Sequence, residues 1–99
     1  MTLDHIEQLC DELRQLIDAG PGMDEGALRR VRAVIREIHG HSTVSHTREK
    51  LVDLTTNFSI WLSHHRWHHY GAGGERLREM LVEDLEKLRS AWNSFERET

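Results

Sequence analysis

Cysteine, proline and long apolar runs are all scarce in this chain of 99 residues. The one cysteine, Cys10, cannot form an internal disulfide, so the fold must rest on packing. The one proline, Pro21, leaves the rest of the chain without a strong helix breaker. No apolar run approaches the roughly 20 residues of a membrane-spanning helix. The start, Met1-Thr2-Leu3-Asp4-His5, lacks the basic and apolar regions of a signal peptide, so a cytoplasmic location is expected. Charge of one sign is also missing. Thirteen basic and seventeen acidic residues leave a net charge of −4 with the histidines neutral. That balance weighs against nucleic acid as a partner, because such binding is driven by neutralising phosphates.

Recognisable catalytic spacing is absent too. There is no zinc-finger cysteine pattern, phosphate-binding glycine loop, nucleophile elbow or His-Glu-x-x-His. Di-iron bundles carry Glu-x-x-His pairs, and this chain has none. Trp61-Leu62, followed by His65 and Tyr70-Gly71, resembles the last helix of hemerythrins. The other hemerythrin ligands are missing, since no histidine has a glutamate four residues on. The expectation is therefore a protein that is not an enzyme.

What is present is helical periodicity. Leu3, Ile6, Leu9, Cys10, Leu13, Leu16 and Ile17 recur at the spacing of one helical face and predict a first helix over 3–19. Gly20-Pro21-Gly22 ends it. Ala27, Leu28, Val31, Val34, Ile35 and Ile38 predict a second helix over 24–39, with Asp24 as N-cap and Gly40 as C-cap. Leu51, Leu54, Phe58, Trp61, Leu62, His65 and His69 predict a third over 47–70. Leu77, Met80, Leu81, Leu85, Leu88, Ala91, Trp92 and Phe95 predict a fourth over 75–96. Four amphipathic helices with short connections predict an all-α, four-helix, up-and-down antiparallel bundle in a single domain, 1–99. Helices three and four read as longer than the first two, so their shared end is expected to project.

Eight histidines are the feature closest to chemistry. On a helix, His64 with His68 and His65 with His69 are i, i+4 pairs, each on one face. Such pairs are candidate ligands for Zn²⁺, Ni²⁺ or Cu²⁺. The alternative is that they are helix-end residues interacting with the dipole and the last carbonyls. His5, His39, His41 and His46 fall at the opposite pole without motif-like spacing, and read as loop and cap residues. Gly71-Ala72-Gly73-Gly74 reads as a turn.

Three further features bear on function. Asp84 interrupts the stripe of helix four, and a carboxylate there needs a donor. Trp61 or a histidine is expected to supply it, at a level shared with Asn57. Ile60 and Trp67, flanked by Tyr70 and Val52, lie opposite the stripe of helix three and form a candidate interface. Arg29, Arg32 and Arg36 form a row on helix two, either a solvated face or a docking edge for an acidic partner. Together these predict a protein–protein interaction module, an adaptor, inhibitor or regulator, that dimerises through helix three. A metal-binding or metal-sensing bundle is the alternative, and a nucleic-acid-associated regulator the next.

Overall fold

The computed structural model describes residues 3–22, 24–63 and 74–96. They form four helices and, among them, no strand: α1 (Leu3–Ala19), α2 (Glu25–His41), α3 (Ser45–Trp61) and α4 (Glu75–Ala91). A π-turn, Trp92–Glu96, continues α4. Each α-helix has 17 residues, a rod of about 25 Å. The radius of gyration is 13.2 Å, close to the ~13 Å of a folded chain this long.

The stripes meet in one core. Ile6, Leu9, Cys10, Leu13 and Ile17 come from α1, and Val31, Val34, Ile35 and Ile38 from α2. Leu51, Leu54, Phe58 and Trp61 come from α3, and Leu77, Leu81, Leu85 and Leu88 from α4. Sequence neighbours pack on one another, and α1 also packs on α4, which is consistent with an up-and-down bundle. The ion pairs run the same way. Arg30 pairs with Glu12 and Glu37 with His5, so position along α2 falls as position along α1 rises. Arg78 reaches Asp18 at 2.6 Å, and Arg89 reaches Asp11 at 2.8 Å and Glu7 at 3.4 Å, the same opposed order between α1 and α4. Among the described residues, no helix is long and apolar enough to cross a membrane.

α3 departs furthest from expectation, and its two ends explain why. It begins at Ser45, two residues before the predicted start, with no side-chain cap from Val44. The cap comes from the other end of the chain. The Glu96 carboxylate accepts from the Ser42 hydroxyl at 2.8 Å, the Thr43 amide at 2.8 Å and the Val44 amide at 2.7 Å. Negative charge at a helix N-terminus is favourable, and here it is buried, Glu96 being 3% exposed. The π-turn makes this possible. The α-helical stripe points to position 95, and a turn wider by one residue brings position 96 inward. The side chain of Phe95 lies outside the described residues. The same anchoring alters the end of α2. The helix runs through Gly40 to His41 and is closed by Ser42, whose amide donates to the His39 carbonyl.

α3 stops at Trp61, not at 70. The turn after α1 takes its final carbonyls: Gly22 N–H donates to Trp61 O at 3.1 Å and Asp24 N–H to Leu62 O at 3.4 Å. In return, Trp61 Nε1 donates to the Ile17 carbonyl at 3.1 Å. Gly20 packs so tightly on this indole that a Cβ there would fall 2.3 Å from Nε1. α3 therefore ends nine residues short of the expected 70, and the end of the hairpin that was expected to project, residues 64–73, lies outside the described residues. Asp24 caps α2 as expected, its Oδ1 accepting from the Ala27 amide at 2.9 Å.

Candidate functional site

The sequence-predicted site residues separate into three groups. His64, His65, His68 and His69, with Trp67, Tyr70 and residues 71–73, lie outside the described residues. The described histidines His5, His39, His41 and His46 do not assemble a metal site. Among the described residues, no three of His, Cys, Asp or Glu come together to hold an ion.

The second group is corrected by the structure. Ile60 is not on a solvated face; it is 9% exposed and belongs to the core. Ile60, Trp61 and Leu62 are buried in succession. Consecutive helical residues point about 100° apart, so burial of both Ile60 and Trp61 widens the covered face beyond the stripe. A one-faced stripe does not describe this end of α3. Asp84 lies at the expected level but has a different donor. Asn57 Nδ2 reaches its Oδ2 at 2.6 Å, while the Trp61 indole serves Ile17. This is a structural contact between α3 and α4.

The third group forms the most site-like surface of the described residues. Between α2 and α3 runs a groove of about 390 Å³ lined by Arg32, Ile35, Arg36, His39, Leu51, Val52, Thr55 and Thr56. Helical spacing puts it there: Ile35 and Leu51 are the outer members of two core stripes, and their neighbours form the walls. Val52 is 61% exposed, the one large hydrophobic side chain left in solvent among the described residues. The Thr55 hydroxyl donates to the Leu51 carbonyl at 2.8 Å, so it is engaged within its own helix.

The rim is positive. Arg29, Arg32, Arg36 and His39 follow one another at steps of three, four and three, a single line along α2. Among the described residues none of these three arginines has an ion-pair partner, whereas Arg30, one residue from Arg29, is bound to Glu12. Glu7, Asp11, Glu12 and Asp18 of α1 are matched by Arg30, Arg78 and Arg89. A chain of net negative charge therefore carries an uncompensated cationic edge beside apolar surface. A smaller depression lined by Glu25, Leu28, Arg29 and Arg32 extends the line toward the start of α2.

Another depression, about 320 Å³, separates the start of α3 from the end of α4 and is lined by His46, Lys50, Lys87, Ser90, Ala91 and Ser94. It has little apolar floor, and Lys87 is engaged with Glu83 at 3.3 Å. In the sequence the arginine row read as either a solvated face or a docking edge. The sequence did not join that row to Val52, because the groove exists only once α2 and α3 are side by side. The sequence of this chain matches no protein-family model and no curated protein, and its structure matches no solved structure.

Proposed function

We propose that this chain is a non-enzymatic protein-interaction module, an up-and-down helical bundle that captures a protein partner on the face shared by α2 and α3. The observation that carries this reading is the groove itself, where unpaired arginines border Ile35, Leu51 and exposed Val52. Protein interfaces combine an apolar centre with a polar rim, and arginine is enriched at their energetic centres.

The partner is a different chain rather than a second copy. Helix three was expected to pair with itself through Ile60, Trp67 and Tyr70; Ile60 is in the core, and Trp67 and Tyr70 lie outside the described residues. A two-fold dimer with the groove on its axis would bring the arginine line of one copy near that of the other, and like charges at an interface are unfavourable.

The test is site-specific photo-crosslinking in cells. A benzophenone side chain is placed at Val52, at Thr56 and, as control, at exposed Glu86 on α4. Adducts to one discrete protein from positions 52 and 56, absent from 86 and reduced in an Arg32→Glu/Arg36→Glu background, are the expected result. Equal adducts from all three positions, no adduct from 52, or adducts only between copies of this chain would overturn it.

A further inference from the structure

Resting on that reading, we infer that the partner presents an acidic amphipathic helix, laid along α2 with its apolar edge on Ile35, Leu51 and Val52 and its carboxylates on Arg29, Arg32 and Arg36. The arginine line sets the length. From Arg29 to Arg36 is seven residues, a span of about 10 Å or two helical turns. A partner helix with acids at i, i+3 and i+7 repeats the same spacing and can face all three guanidiniums.

The apolar floor sets the second requirement. Val52 is exposed in the lining of the groove, while Ile35 and Leu51 beside it are already buried. Covering Val52 needs an aliphatic edge alongside the acids, hence an amphipathic helix and not a merely acidic segment. The same floor discriminates against nucleic acid. A phosphate backbone would use the arginines and leave Val52 without a partner. The groove lies between two neighbouring helices, α2 and α3, and helices pack by setting the ridges of one into such grooves.

Direct titration with designed peptides is the experiment. The first probe is a fluorescent helix of about 18 residues, long enough to hold its conformation, with glutamates flanking a leucine stripe. The second has the same composition with the leucines scattered around the helix. The third carries lysine in place of glutamate, and the fourth probe is a DNA duplex of similar charge. Fluorescence anisotropy is expected to show binding of the first peptide, at least tenfold weaker binding of the second, and none of the third. Between about 50 and 300 mM salt the affinity should fall roughly tenfold, since rim charges are screened within a Debye length. Arg32→Glu/Arg36→Glu should reverse the preference toward the lysine peptide. Val52→Asp should weaken the glutamate peptide about tenfold while leaving the melting temperature within about 2 °C, as its side chain is exposed.

Equal binding of the ordered and scattered peptides would overturn the inference, because charge alone would then suffice. Duplex DNA binding as tightly as the first peptide would replace it with a nucleic-acid surface. No binding by any peptide would end the acidic-helix assignment, while crosslinks from Val52 would still report independently on whether the face takes a protein.

Discussion

Replacing Glu96 should be the most damaging single change outside the apolar core. Its carboxylate is the acceptor for the Ser42 hydroxyl and the Thr43 and Val44 amides, and Oε1 alone lies within 2.8 Å of all three donors. Hydrogen bonds to a charged group contribute about 1.5–3 kcal/mol each, and a buried donor left unmet costs about 1–3 kcal/mol. The three share one acceptor, and Thr43 is exposed enough for water to replace part of what is lost. Glu96→Ala is therefore expected to cost about 2–4 kcal/mol, well below the sum. At ~4–8 °C per kcal/mol for a domain this size, the melting temperature should fall by on the order of 10–25 °C. Glu96→Gln separates geometry from charge. Its amide oxygen can keep the Ser42 and Val44 bonds, but it loses the negative charge at the start of α3. It should cost about 1–2 kcal/mol, between wild type and alanine. Urea melts followed by far-ultraviolet circular dichroism measure all three proteins. Glu96→Ala within about 0.5 kcal/mol of wild type would refute the reasoning, because α3 would then be capped well enough without it.

The turn after α1 should also be intolerant of added volume. Gly20→Ala places a methyl inside the Trp61 indole and should cost about 1–3 kcal/mol, with a Trp61 fluorescence change as the local readout. At the α3–α4 contact, Asn57→Ala should cost about 1 kcal/mol by stripping half-buried Asp84 of its donor, whereas Asp84→Asn should cost less; chemical denaturation distinguishes them. Burial pushes the Cys10 thiol up from 9.0 to about 11, against the pull of Arg89. Its folded-state value lies above the unfolded one, so stability should hold below pH 9 and decline as pH rises toward 11. Comparison with Cys10→Ala, which lacks the titration, isolates the effect. Alkylation of native Cys10 should be at least tenfold slower than in urea, since only the thiolate reacts and the side chain is buried.

What the sequence revealed depended on where each structural cause lay. α1 was legible to the residue, because its stripe and its Gly20-Pro21 stop are local. The start of α2 was legible within a residue for the same reason, Asp24 being its own cap. α3 was misjudged at both ends because both are closed from afar, by Glu96 at one end and by Gly22 and Asp24 at the other. Its apolar spacing does continue past Trp61 toward His65 and His69, and spacing alone cannot register that other backbone groups take the last carbonyls. Ile60 misled for a related reason. Opposition to a stripe implies exposure only where the helix is covered on one side. Of the candidate site, the arginine row could be seen in sequence, but the floor beneath it required two helices to be side by side.

Binding of the protein recovered by crosslinking at Val52, measured by isothermal titration calorimetry against wild type and Arg32→Glu/Arg36→Glu, tests the central claim most directly. The double variant should fold normally, as both side chains are exposed, and bind at least tenfold more weakly. Equal affinity for the two proteins would contradict the assignment of function to the α2–α3 face.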